Sequence, residues 1–157
     1  MSNIQKLTIE QKSYIAGFLD GDGSIFAQII RDKNVKYGFR IRVSIGFYQK
    51  KTKHWFILKL KKFLKYGYVR IRKDNISEYI ITCSSGVHQI LLFLKNFVIL
   101  KKKNADLVIK IIEKTRKINS KKEFIETCKL VDKVADLNYS KNRKITSSIV
   151  EESFKSI

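Results

Sequence analysis

Apolar and polar residues alternate strictly between positions 37 and 48. Tyr37, Phe39, Ile41, Val43, Ile45 and Phe47 fall on one side of the alternation, and Gly38, Arg40, Arg42, Ser44, Gly46 and Tyr48 on the other. A period of two over this length predicts a half-buried β-strand. The run 24–31 is rich in strand formers and precedes it across a polar connection at 32–36, so the two read as a hairpin. A second hairpin is expected from 68–72 and 78–84 around Lys73, Asp74 and Asn75, with Tyr68, Arg70 and Arg72 on one face and Val69 and Ile71 on the other.

Helical spacing governs the rest. Thr8 with Gln11 three residues on is a capping-box signature. It opens a helix to about Leu19, which must stop near the Gly21-Asp22-Gly23 run. Thr52 is placed to cap a second helix to about 65, with Trp55, Phe56, Leu58, Leu60, Phe63 and Leu64 as its apolar stripe and Gly67 as its terminator. Further helices are expected at 87–97, at 102–116, at 121–137 behind a second capping box (Ser120, Glu123), and from Ser148. Residues 138–144 read as a basic polar loop. The order α-β-β-α-β-β-α predicts an α+β fold: one four-stranded antiparallel sheet with helices on one face, followed by C-terminal helices. One domain is expected over 1–157, with the core in 1–100.

The 157 residues carry 33 Lys+Arg against 14 Asp+Glu, a formal net charge of +19, and no proline. With 44% apolar residues the chain can build a core, so the charge bears on partners and not on fold. Nucleic acid comes first, then an anionic membrane surface, then mere solubility. The longest apolar stretch, 87–100, is broken by His88, Gln89, Lys95 and Asn96, so no bilayer span is expected. The N-terminal residues lack the apolar core of a secretory leader. Cys83 and Cys128, 45 residues apart, make neither a zinc motif nor a disulfide framework; both read as inert core thiols. His54 and His88 are isolated, which argues against a histidine metal cluster or a Ser/His/Asp triad.

Four of the seven arginines, Arg40, Arg42, Arg70 and Arg72, fall on the sheet face predicted to look away from the helices. Gln28, Tyr48 and Glu78 join them, with Phe26, Ile30 and Ile80 between. Arginine suits bidentate contact with guanine or phosphate, Gln28 suits adenine, and Glu78 is able to accept from cytosine N4. A two-stranded ribbon enters a major groove, and about ten residues of strand run about 33 Å, close to one DNA turn. The plain alternative is a solvated face.

Asp20-Gly21-Asp22-Gly23 puts two carboxylates at the negative end of a helix dipole, where like charge is unfavourable. A divalent cation is the simplest compensation. An EF-hand does not fit, because its sixth and twelfth loop positions would be Ile25 and Arg31. Gly17 and Gly21, four apart, permit another helix to approach closely. An ordinary core helix ending in an Asp-Gly turn remains equally open on these residues alone.

The segment Tyr14-Ile15-Ala16-Gly17-Phe18-Leu19-Asp20-Gly21-Asp22-Gly23 resembles the LAGLIDADG motif of homing endonucleases. QKKTKHWF from Gln49, GYVR from Gly67, LKKKNADLVIKII from Leu100 and SKNRKIT from Ser140 resemble further landmarks of that family. The likeness covers roughly 12–152. It is nearest to single-motif members that act as homodimers, among them algal chloroplast ribosomal-RNA-intron enzymes.

The resemblance implies a site-specific DNA endonuclease. Motif helices of two protomers pack on the dyad through Ile15, Gly17, Phe18, Asp20 and Gly21, and two copies of Asp22 face adjacent scissile phosphates. Asp22 and the Gly21 carbonyl hold Mg²⁺, with Mn²⁺ or Ca²⁺ able to replace it in binding. Gln49, Lys53 and Lys101 surround the nucleophilic water; Lys53 stands where other members hold arginine. Asp20 ranks below Asp22 as a ligand and steadies the turn or the dimer. Parity and family position together assign DNA contact to Ser24, Phe26, Gln28, Ile30, Arg40, Arg42, Ser44, Tyr48, Tyr68, Arg70, Arg72, Glu78 and Ile80. Lys141, Arg143 and Lys144 take phosphates. The implied target is double-stranded, pseudo-palindromic and about twenty base pairs long, cut to short 3′ overhangs. No small-molecule substrate or membrane partner is implied. The alternative is an RNA-binding intron maturase. The family, with 26 lysines against seven arginines and 23 isoleucines suggesting an AT-rich coding genome, points to an organelle, chloroplast before mitochondrion.

Overall fold

The computed structural model describes residues 6–156. Its elements in chain order are α1 (Ile9–Asp22), β1 (Gly23–Arg31), β2 (Phe39–Lys50), a 3₁₀ turn (Lys51–Lys53), α2 (His54–Leu64), β3 (Tyr68–Ile71), β4 (Ile76–Ile81), α3 (Ser84–Leu94), α4 (Lys102–Thr115), α5 (Lys121–Leu137) and α6 (Ser147–Lys155). The strands form one antiparallel sheet in the order β1-β2-β4-β3, as the α+β reading expects.

One face of the sheet is the core. Ile25, Ala27 and Ile29 of β1, Val43, Ile45 and Phe47 of β2, and Tyr79 and Ile81 of β4 are buried beneath helices. α1 contributes Ile15, Ala16 and Leu19; α2 Ile57, Leu60 and Leu64; α3 Val87, Ile90, Leu91 and Leu94. Phe18, Phe47 and Tyr79 form a stacked row, with centroids 6.0 and 5.8 Å apart. Burial pushes the Tyr79 phenol up in pKa, and its hydroxyl donates to the Tyr66 carbonyl. Among the described residues no helix is long and apolar enough to cross a membrane.

Several boundaries differ from expectation for local reasons. α1 runs three residues past Leu19 because Gly23, and not Gly21, ends it. The Gly23 N–H donates to the Leu19 carbonyl in extended backbone, and a Cβ at Gly23 would lie 2.9 Å from the Leu19 backbone. β2 begins at Phe39, since Gly38 turns the chain at φ +76°, and Tyr37 leaves the sheet to pack on Phe124 and Phe154. Thr52 does not cap α2: residues 51–53 wind as a 3₁₀ turn, and Lys53 occupies the cap with no side-chain bond. α2 ends at Leu64, with Lys65 at φ +70° as its C-cap two residues before Gly67. β4 begins at Ile76, since Asn75 at φ +63° closes its hairpin early, and α3 starts at Ser84 instead of 87. α6 is capped by Thr146, which accepts from the Ile149 N–H.

Only one of the two cysteines is a core thiol. Cys128 is buried, and burial with nearby Asp132 pushes its thiol up to about 12 in pKa. Cys83 is exposed, because it falls at the N-cap of α3 and not inside an element.

Candidate nucleic-acid interface and cleavage site

α1 passes into β1 with no intervening loop, and its two terminal acids have different fates. Asp20 turns towards α4. Its Oδ2 accepts from the backbone N–H groups of Ile99 (2.7 Å) and Leu100 (3.1 Å), and its Oδ1 from that of Lys101 (3.0 Å). Lys101 is the N-cap of α4, so this carboxylate meets the positive end of a second helix dipole. The Lys101 ammonium returns to the Asp20 backbone carbonyl at 2.5 Å. Asp20 is therefore compensated inside the chain and needs no cation.

Asp22 has no such compensation. It is exposed, and among the described residues its carboxylate accepts one hydrogen bond, from Gln49 Nε2 at 3.3 Å. The antiparallel register pairs Gly23 with Phe47 and so carries Gln49 to the helix end. Gln49 Oε1 accepts from the Lys50 N–H at 3.2 Å, which fixes the amide's orientation. Lys53 is exposed four residues further on, at the N-cap of α2. The structure thus brings Gln49 onto Asp22 and Lys101 onto the backbone two residues before it; Lys53 is near through the chain alone. Asp22 and the Gly21 carbonyl are hard oxygen donors, and no group of three or more His, Cys, Asp or Glu side chains gathers among the described residues. These are the donor types that hard divalent cations take, and one chain supplies only part of such a shell.

The second feature is the sheet face opposite the core. Ser24 lies across from Gly46, Phe26 from Ser44, Gln28 from Arg42 and Ile30 from Arg40. Tyr48 and Arg70 both lie across from Glu78, and Tyr68 lies across from Ile80. Residues directly opposite share a face, so the register puts these positions together. Arg42 Nη2 donates to Gln28 Oε1 at 2.6 Å, and Arg40 lies 3.7 Å from Asp32. Tyr48 and Ser24 hydroxyls meet at 3.1 Å over Gly46, where any Cβ would collide with the tyrosine.

Glu78 departs from its expected role. It is 4% exposed and ion-paired to Arg70, with Arg72 at 3.9 Å. Its hydrogen bond and charge raise the Arg70 pKa further. A carboxylate so engaged aims two arginines and is not itself presented to a base. Arg72 also meets Asp74 at 2.6 Å. Ser44 and Ile80 are buried beneath their neighbours and offer less surface than parity alone implies.

The basic loop lies along the outer edge of β1, where Lys141, Arg143 and Lys144 line a groove with Phe26 to Arg31. Arg143 is exposed but ion-paired, to Asp132 at 3.1 Å and Asp136 at 3.8 Å. Asp132 also accepts from the Ser147 hydroxyl at 2.5 Å. Arg143 thus anchors the loop, and exposed Lys141 and Lys144 are its outward charges. Asn138 was not singled out from the sequence. Its Nδ2 donates to the Ile25 carbonyl at 2.9 Å and its Oδ1 accepts from Asn104 at 2.7 Å, fastening β1 to α4 and α5.

On α1, Gly17 and Gly21 look onto open space. Ile15 is buried in its own core, Phe18 packs on Phe47 and Phe56 of the same chain, and Asp20 is bound to α4. These three offer a partner helix little side-chain surface. The open face instead includes Tyr14, 62% exposed, which the spacing 14, 17, 21 would have disclosed.

Comparison with known proteins decides what this constellation belongs to. The profile of the LAGLIDADG endonuclease family matches residues 15–112. The chain belongs to the LAGLIDADG endonuclease family. It is 42% identical over 138 residues to the DNA endonuclease I-CreI of Chlamydomonas reinhardtii, covering 87% of this chain and 84% of that protein. It is 33% identical over 145 residues to the DNA endonuclease I-CvuI of Chlorella vulgaris, covering 92% and 90%. Solved I-CvuI, in complex with the I-CreI target in the presence of magnesium and with the DNA uncleaved, matches at a TM-score of 0.89 over 94% of both chains. Another I-CvuI structure holds its own target in the presence of calcium. The archaeal intron-encoded homing endonuclease I-Vdi141I, at 19% identity and a TM-score of 0.79, shares the LAGLIDADG fold.

Proposed function

We propose that this chain is an intron-encoded homing endonuclease, folded as one domain, that binds a long pseudo-palindromic DNA site as a homodimer. It hydrolyses both strands with a divalent metal and leaves short 3′ overhangs. The observation that carries the reading is the uncompensated Asp22 carboxylate at the α1–β1 junction, beside a sheet face that carries Arg40, Arg42 and Arg70, with Arg72 just past the end of β3. I-CvuI bound to DNA with magnesium and with calcium supports divalent metal use, and Mg²⁺ is the working ion of this reading. Asp22 and the Gly21 carbonyl hold the metal, which supplies Lewis acidity at the phosphate and an acidified water. Gln49 orients Asp22. Lys53 and Lys101 offset phosphate charge, Lys101 braced against the end of α1.

On the sheet, Arg40, Arg42, Arg70, Arg72, Gln28 and Tyr48 read bases, Phe26 and Ile30 exclude water, and Lys141 and Lys144 neutralise phosphate. Arg42→Ala is expected to cost about 1–3 kcal/mol of binding and to relax preference at one symmetric pair of bases. Equal loss on every sequence, measured on a randomised-target panel, would make Arg42 a phosphate contact. Sedimentation of the free protein should give a dimer, because one motif supplies one Asp22. A monomer that cuts both strands would remove that argument. The lysine and isoleucine bias, with relatives in two algae, supports expression in an organelle, chloroplast before mitochondrion.

The test is a linearisation assay on plasmid carrying a target selected from randomised DNA, with Mg²⁺ and with EDTA. Linear product in Mg²⁺ alone supports the nuclease. Structured RNA bound with no cutting of any selected DNA would favour a maturase.

A further inference from the structure

The start of α2 lacks the fastening that its sequence promises. Thr52 does not cap it, and Lys53, the cap residue, makes no side-chain cap bond. Two other contacts secure this corner. The Lys51 N–H donates to the Asn75 carbonyl at 2.8 Å, and His54 Nδ1 meets the Ser77 hydroxyl at 2.7 Å. Ser77 is fully buried, on the core face of β4, and lies directly across the ladder from Gln49. Residues so placed have Cβ atoms about 5 Å apart. His54 therefore ties the turn that carries Lys53 to the strand pair that carries Gln49, and Gln49 in turn holds Asp22.

We propose that His54, through Ser77, is a positioning residue for cleavage. It sets the place of Lys53 relative to Gln49 and Asp22 and does not itself touch DNA. The inference rests on the nuclease reading and extends it to a residue pair outside the motif helix. Two properties suit the role. The hydroxyl at 77 is buried, so without the imidazole it loses its partner where water does not replace it. Lys53 is also the first residue before His54, so any relaxation of the ring's anchor moves the lysine directly. A displacement near 1 Å at a catalytic group is enough to cost about a hundredfold in rate.

The experiment measures single-turnover cleavage and, separately, target affinity in Ca²⁺, with a target selected for the wild-type protein. His54→Ala and Ser77→Ala should each slow cleavage at least about tenfold while target affinity stays within about twofold. The double variant should be no slower than the slower single one, since both remove one bond. His54→Asn, whose amide nitrogen can stand where Nδ1 stood, should recover much of the rate, and His54→Leu should not. Circular dichroism and melting identify any variant that fails to fold, and Ser77→Thr, which keeps a hydroxyl, then serves as the second probe. Unchanged cleavage in folded His54→Ala would overturn the proposal, as would equal loss of affinity and rate, or additive losses in the double variant. Absence of cutting by the wild-type protein would instead strike the nuclease reading on which the proposal stands.

Discussion

Asp22→Asn is expected to abolish cleavage, by about 10³-fold or more, while binding to the target persists. The substitution is isosteric and keeps an oxygen that accepts from Gln49, so the α1–β1 junction is preserved. What disappears is the one charge at the helix end that the chain leaves uncompensated. Two further signs follow from that charge. A carboxylate at a helix C-terminus is unfavourable by about 0.3–1 kcal/mol, so the variant should melt no lower than the parent, and slightly higher if anything. Its metal-free affinity for DNA should also be equal or greater, because a negative group beside the phosphates has gone. Supercoiled-plasmid cleavage, melting and filter binding in EDTA read the three signs. Undiminished nicking, or a lower melting temperature with loss of fold, would withdraw Asp22 from the metal.

Asp20→Ala, two residues earlier, should behave in the opposite way. It removes the acceptor of three consecutive backbone N–H groups at the start of α4. The charge-assisted bonds are partly open to solvent, so the loss should be about 2 kcal/mol. For a chain of this size that is a fall of about 4–8 °C in melting temperature. Lys101 loses the carboxylate that holds its backbone N–H and keeps only the ammonium's bond to the carbonyl of residue 20, so cleavage should drop more than binding. Asp20→Asn, which keeps one acceptor oxygen, should lie between. A variant that melts normally but binds no metal would show that the two acids had been assigned the wrong way round.

The contrast between these acids marks where the sequence stops being legible. Helix polarity alone says that Asp20 and Asp22 are both out of place. That Asp20 meets residues 99–101 depends on a contact across about eighty residues, and no local pattern encodes it. The sheet face behaved differently. Its alternation has a period of two, and a strand cannot express that pattern without sorting Arg40 and Arg42 from Ile41 and Val43. Register then placed β1 and β4 on the same terms. Local punctuation is less legible. Gly21 and Gly23 look alike in sequence, yet Gly23 alone sits against the Leu19 backbone and ends the helix. Thr52 has the chemistry of a cap, but the turn that follows β2 winds one residue too far for it. The motif resemblance supplied what periodicity lacked, since nothing in the spacing alone distinguishes Gln49, Lys53 and Lys101 from other polar residues at element ends.

The burial of Glu78 beneath Arg70 and Arg72 has a bearing on how such a protein changes its target over time. A substitution of Arg70 that alters base preference also takes the nearer of two arginines from a carboxylate with 4% exposure and leaves it Arg72 at 3.9 Å, so a change in recognition also bears on folding stability. Drift at Arg70 alone is penalised before any new preference is tested by selection. Escape routes pass through paired changes, with position 78 neutralised first or together with its arginine, whereas Arg42, whose partner Gln28 is neutral and exposed, is free to vary singly. The bases under the β3–β4 hairpin are then the conservative half of the target and those under the β1–β2 hairpin the adaptable half. Libraries built to retarget the protein should couple 70 with 78 and leave 42 independent.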